Sequence, residues 1–331
     1  MQVFKRFRTL TDKSHRWRLY VLLGVVIYFV AINQILHVRP DHAFLALFIL
    51  SLALGGEKAK RFLIDWIPFI GFWILYDMMR GIVDNWRGLI HIRIVYDTEY
   101  YLFGWLCNNQ IPSFWFQKFQ HIIDGSVWKI FLDLLAANLY TFHFGLPIVL
   151  GWILWHTYND RIMYYRYIWT LTVVNIMALI TFFAFPSAPP WYVVRYGFEQ
   201  PTETWLYGTA GALINVDNMI NVKFFTTLWD NFSANNFAAI PSLHGAYPII
   251  ISMFAYMKFK KYSVNRSASG GKVILILYPV LTWWAAVYLN HHYIIDLIIG
   301  GMYIFIAYTI VHKILIPKVF TPLIFAKHRK S

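Results

Sequence analysis

Two imidazoles and a carboxylate interrupt an otherwise apolar stretch, Tyr288-Leu289-Asn290-His291-His292-Tyr293-Ile294-Ile295-Asp296. Ionisable groups in a run apolar enough to cross a membrane are costly and mark function. A helix beginning at about His291 would set His292 and Asp296 at i and i+4 on one face, where the carboxylate accepts from an imidazole N–H. An imidazole held in this way keeps its second nitrogen unprotonated and aimed, and that nitrogen can act as a nucleophile. Such chemistry needs a proton donor opposite. Upstream, Ala238-Ala239-Ile240-Pro241-Ser242-Leu243-His244-Gly245 opens a second apolar run and offers His244 for that role. On the same helix His291 would point about 100° away from His292, which suits packing better than catalysis.

The elements that must position these residues follow from composition. Apolar residues make up 59% of the chain and charged residues 14%, against roughly 25% charged in a soluble domain. Several runs reach the roughly 20 apolar residues a spanning helix needs, and the alternation of barrel strands is absent. The fold expected is an all-α polytopic membrane helical bundle of about six to eight spans. Its candidate spans are 19–37, 42–56, 62–79, 127–157 with Pro147 as a kink, 164–185, 238–257, 272–290 and 293–316. Residues 81–126 mix charges with Trp86, Trp105 and Trp115 and read as amphipathic helices at the interface. The organisation expected is N-terminal spans and interfacial helices over 1–126, a catalytic core over 127–316 and a basic tail over 317–331, within one membrane domain. A polar, Asn-rich loop is expected over 195–237.

The net charge of +13 does not point to nucleic acid, because the basic residues sit at the ends of apolar runs. With the amino terminus inside, 21 of the 29 Lys and Arg residues fall on the inner side, as the positive-inside rule requires. Both termini are then cytoplasmic, and Pro186, His244 and His292 converge on the outer face. The lone Cys107 allows no internal disulfide and no Cys-based metal site. A zinc ion held by His244, His292 and Asp296 is the weaker reading, since histidines at separate span ends form no local ligand motif.

Pro241-Ser242-Leu243-His244 and the His292-x-x-x-Asp296 spacing resemble motifs of the type 2 phosphatidic acid phosphatase superfamily. More narrowly, Phe185-Pro186-Ser187-Ala188-Pro189-Pro190-Trp191-Tyr192 and Tyr288 to Leu297 are similar to the inositol phosphorylceramide synthase-like branch, as is Thr141-Phe142-His143-Phe144-Gly145-Leu146-Pro147. The resemblance implies that His292 attacks phosphorus to give a phosphohistidine, that Asp296 orients it, and that His244 protonates the leaving oxygen. It implies that Ser242 holds phosphate oxygens, that no metal or other cofactor takes part, and that the partners are a phospholipid donor and a lipid acceptor. The activity implied is transfer of a phosphorylated headgroup, phosphoinositol, from a glycerophospholipid to a ceramide-like hydroxyl. A lipid phosphate or polyprenyl diphosphate phosphatase with water as acceptor is the alternative, and a non-catalytic membrane protein or transporter a third. Against the third, the polar residues gather at one face and form no chain across the bilayer. Ala285-Ala286 stands where the broad superfamily has Ser-Arg, and no Lys-x6-Arg-Pro motif is present. Arg195 and His143 are the candidate substitutes for those phosphate-binding cations. Trp191 and Tyr192, behind a stiff proline run, are expected over the lipid opening.

Overall fold

The computed structural model describes residues 16–35, 42, 46, 49–50, 56–86, 88–157, 160–201, 206, 208–262 and 269–320. Most of the expected span at 42–56, and the tail beyond 320, lie outside the described residues. Among those residues the secondary structure is helical, with isolated backbone bridges only at His91–Ser187 and Ser187–Ala238. The protein is an all-α membrane protein.

The chain divides into two compact units, residues 1–79 and 80–331. In the first, α1 (Arg16–Ile35) precedes the start of α2 (Gly56–Trp86). One stripe of α2 is aromatic: Phe62, Trp66, Phe69 and Trp73 are buried and meet in succession through stacked and edge-on contacts.

The second unit holds everything that positions the site. Its long helices are α7 (Arg161–Ala184), α11 (Leu243–Tyr262), α12 (Ser269–Tyr288) and α13 (Ile294–Ile310), the last continuing in wider turns over Val311–Phe320. The expected single span over 127–157 is two helices, α5 (Val127–Phe142) and α6 (Gly145–Trp152), bent by 53°. Pro147 supplies the reason: its ring clashes with the carbonyl four residues back, at His143, where the helix breaks. Among the described residues four helices are long and apolar enough to cross a membrane, or five with the bent pair as one. Helix α11 starts at Leu243 rather than 238, because long-range bonds claim the preceding backbone: Ile240 N–H donates to Ser187 Oγ (3.0 Å) and Ser242 N–H to the Asp296 carbonyl (3.0 Å).

Above these helices lie α3 (Arg93–Phe103), α4 (Pro112–Ile122), α8 (Pro190–Tyr196), α9 (Leu213–Ile220) and α10 (Phe225–Phe232). The loop expected over 195–237 is therefore partly helical. One carboxylate organises it: Asp217 accepts from the N–H groups of Phe224, Phe225 and Thr226 and from the Thr226 hydroxyl, which caps α10 from outside its own sequence. Arg80 pins the far end of that helix by donating to the carbonyls of Asp230, Asn231 and Ser233.

Helices α11 and α13 meet backbone to backbone. A Cβ on Gly300 would lie 2.1 Å from the Ser242 carbonyl oxygen, and one on Gly245 would lie 2.6 Å from that of Leu297. Only glycine permits either approach.

Candidate active site

The helix expected from His291 begins at Ile294, with Tyr293 as its extended N-cap. His292 therefore sits in the turn before α13, yet it still reaches Asp296. The carboxylate is the third residue of the helix and bends back over the N-terminus, where Oδ2 accepts from Tyr293 N–H (3.0 Å) and meets His292 Nδ1 (3.2 Å). A single oxygen thus caps the helix and orients the imidazole. The turn itself is fixed by Asn290 in the left-handed region (φ 61°) and by the His291 and His292 N–H groups, which both donate to the Ala286 carbonyl.

On the other side His292 Nε2 stands 3.1 Å from His244 Nδ1. With Asp296 ionised, the proton of the first contact belongs to His292 Nδ1. Burial pushes the His292 imidazole down to about 3, so the ring is neutral and Nε2 carries a lone pair. The proton of the second contact is then on His244 Nδ1. Asp296, His292 and His244 thus form a continuous hydrogen-bonded relay. His244 Nε2 has no hydrogen-bond partner among the described residues.

Aromatic rings wall the relay. Tyr140 stacks on His244 (centroids 3.9 Å apart, planes 3° apart) and on His291 (4.6 Å), and Trp229 packs against both Tyr140 and His291. His291 Nε2 meets the Ala210 carbonyl at 3.0 Å, which makes it a packing residue. His143 lies against His244 (3.9 Å between centroids), brought there by the break between α5 and α6. Its Nδ1 bonds the Tyr140 carbonyl, so the buried Nε2, unpartnered among the described residues, is an acceptor in the neutral ring. In that form His143 Nε2 can accept a hydrogen bond, and the ring carries no positive charge. Ser242 is fully buried; its Oγ accepts from Gly245 N–H (3.2 Å) at the start of α11 and retains a hydroxyl proton to give.

The Pro-rich segment is tied to the same centre by backbone bonds, with Trp191 N–H donating to the Asn290 carbonyl, Ser187 N–H to Phe237 and Ala188 N–H to His91. Trp191 is buried in a cluster with Ile90, Ile92 and Phe237, and one edge borders a cleft that also contains Arg195. Tyr192 faces away, its hydroxyl donating to the Glu199 carbonyl. Structure thus gathers His244, His292, Asp296, Ser242 and His143 around one point, while Trp191 and Arg195 line the neighbouring cleft.

With that geometry in hand, comparison with known proteins is informative. The family model for the PAP2 superfamily matches residues 113–310. The chain belongs to the PAP2 superfamily. It is 28% identical over 293 residues to the phosphoinositol dihydroceramide synthase of Bacteroides thetaiotaomicron, covering 87% of this chain and 88% of that protein. It is 27% identical to the inositol phosphorylceramide synthase catalytic subunit of Saccharomyces cerevisiae, covering 88% of this chain and 67% of the other. The inositol phosphorylceramide synthase of Candida albicans is also 27% identical, over 88% of this chain and 57% of its own length. No solved structure matches the chain.

One residue of this PAP2 member that sequence reasoning missed is Glu99 on α3. Fully buried, its carboxylate accepts from Ile294 N–H (2.9 Å) and Ile295 N–H (3.1 Å), the first two amides of α13. Burial raises its carboxyl to about 7, against the pull of those two bonds. Together Glu99 and Asp296 satisfy three consecutive N–H groups at the positive end of the helix that carries the relay.

Proposed function

We propose that this protein transfers a phosphoinositol headgroup from a glycerophospholipid to the hydroxyl of a ceramide-like lipid through a phosphohistidine on His292, without a metal. The observation that carries the chemistry is the Asp296–His292–His244 relay, with contacts of 3.2 and 3.1 Å. The names of the relatives support the phosphoinositol group and the ceramide-like acceptor.

In the first half-reaction His292 Nε2 attacks phosphorus and the bond to the diacylglycerol oxygen breaks. His244, protonated on both nitrogens when the anionic donor is bound, passes its Nδ1 proton to that oxygen and is left as the neutral imidazole, and Asp296 balances the positive charge that develops on the phosphorylated ring. In the second half the acceptor hydroxyl gives its proton back to His244, its oxygen bonds to phosphorus, and the P–N bond breaks to restore the His292 lone pair. Ser242 donates to a non-bridging oxygen. Water must be kept from the intermediate, and the wall of Tyr140, His143, Trp229 and His291 suits that task.

The deciding experiment gives purified protein a phosphoinositol lipid with and without ceramide. Diacylglycerol release should be slow alone and much faster with ceramide, with inositol phosphate appearing on ceramide. A rate indifferent to ceramide, with only free inositol phosphate or phosphate accumulating, would establish a hydrolase instead. We further propose that both termini are cytoplasmic and the relay faces outward, on the strength of the Lys and Arg bias. A membrane-impermeant thiol reagent should then label a cysteine placed at Asn218 and not one at Ser263; the reverse pattern refutes that orientation.

A further inference from the structure

Beside the relay a cleft of about 820 Å³ opens between α4, the start of α5, α8 and α9. It is separate from the aromatic wall, and its lining is of another chemical kind. Gln117, Asn215, Asn218 and Asn290 present amides and Arg195 a cation, while Lys129 is paired with Asp133 (2.5 Å) and Asp124 adds a carboxylate. Amide side chains donate and accept at once, which complements vicinal hydroxyls, whereas guanidinium and ammonium groups complement phosphate. Ile130, Trp191, Val194 and Ile214 give the cleft an apolar lining as well.

Two features mark the cleft as built. Asn290 is only 5% exposed and its Oδ1 has no hydrogen-bond partner among the described residues. A buried amide oxygen left unpaired costs roughly 1–3 kcal/mol unless something supplies a donor. Asn290 is also two residues from His292, so its Cα lies within roughly 7 Å of that of the nucleophile. The second feature is Arg195, whose guanidinium is laid across Gly208. A Cβ there would fall 1.9 Å from Arg195 Nη1, and Gly208 has φ 73°. The missing side chain is the space in which the guanidinium rests.

Resting on the proposed transfer reaction, we propose that this cleft binds a phosphorylated cyclic polyol, the headgroup ring of the donor lipid, with Asn218, Asn215 and Asn290 meeting ring hydroxyls and Arg195 fixing the phosphate side. The cleft would then set which donor is used. The shape and charge of the ring are read there, while the relay handles phosphorus alone.

The test combines binding and turnover on the full-length protein, using Asn218→Leu and Gly208→Ala, each checked for a wild-type melting temperature. In the binding arm, millimolar inositol phosphate should raise the melting temperature of the wild type and not of Asn218→Leu. In the turnover arm, kcat/KM is read from diacylglycerol release with a phosphoinositol lipid and with phosphatidic acid, which has the phosphate without the ring. Asn218→Leu should lose tenfold or more on the first lipid and stay within threefold on the second, whereas Gly208→Ala, which displaces Arg195 from the phosphate side, should fall on both. Loss of lipid discrimination without any effect of free inositol phosphate assigns the site to the lipid-borne headgroup; an effect in both arms admits the soluble compound as well. The proposal is overturned if Asn218→Leu falls equally on both lipids, or if it falls on neither and shifts with inositol phosphate as the wild type does. Failure of the transfer reading looks different: the wild type then ignores ceramide, while the binding arm and the donor ratio still report on the cleft.

Discussion

Replacing Glu99 tests whether α3 controls the chemistry at the start of α13. In Glu99→Ala the Ile294 and Ile295 N–H groups lose acceptors at 2.9 and 3.1 Å, at roughly 1–3 kcal/mol for each buried donor left unpaired. The carboxyl is raised from 4.5 to about 7, so the folded protein holds a proton that the unfolded chain releases. Wild-type stability therefore falls as pH rises from 4.5 to 7, by about 3 kcal/mol from this group. The alanine variant escapes that term, and its deficit should be larger at pH 5 than at pH 8. Turnover should suffer more than stability. Asp296 belongs to the same first turn, and a displacement of about 1 Å at a catalytic pair costs on the order of 100-fold. We expect kcat for headgroup transfer to drop about 100-fold in Glu99→Ala with the lipid KM values little changed, and about tenfold in Glu99→Gln, which keeps one acceptor. Wild-type kcat should decline as pH falls through about 7, where the carboxylate takes up its proton, and Glu99→Gln should lack that inflection. A lowered melting temperature in Glu99→Ala with kcat within threefold of wild type would refute the link between cap and relay.

Other expectations concern the relay and its frame. His292→Ala and His244→Ala should each lose turnover by a factor on the order of 10³ or more while remaining folded, and Asp296→Asn should lose most of it by releasing the imidazole; near-normal turnover in His292→Ala removes the phosphohistidine. Gly300→Ala and Gly245→Ala should fail to give folded protein, since each Cβ meets backbone oxygen at 2.1 and 2.6 Å. Gly71→Ala, with nothing within 4 Å of its Cβ, should be neutral or stabilising by up to about 1 kcal/mol in a thermal melt.

How much of this could be read from the sequence depended on how local the cause was. Pro147 announced the break in the 127–157 run because its ring acts four residues away. The partnership of His292 and Asp296 was legible, but its geometry was not: the spacing suggested two residues on one helical face, whereas the carboxylate caps the helix and reaches back to a residue outside it. Asp217 hid for a related reason, since capping a helix that begins eight residues later leaves no standard spacing. Glu99 could not have been found at all. Its partners are 195 residues away, and a carboxylate on an amphipathic helix carries no sign of whether it faces water or another helix's amides. Likewise His143 reaches His244 only because of the bend that precedes α6.

The glycine contacts between α11 and α13 bear on how the site can move. With Gly245 and Gly300 allowing backbone to touch backbone, and Ser242 N–H bonded to the Asp296 carbonyl, there is no layer of side chains between the helices that could be squeezed or thinned. The frame holding the two histidines is rigid, and at 3.1 Å their nitrogens leave no room for a phosphorus atom between them. Space must come from the rings themselves, swivelling about χ1 and χ2 against Tyr140 and His143. Rotations of that kind draw on side-chain motion rather than on the slower sliding of helices. Opening and closing around the phosphate is then a clockwork of four torsions in a fixed case, and the bilayer around the protein need not move for a turnover to occur.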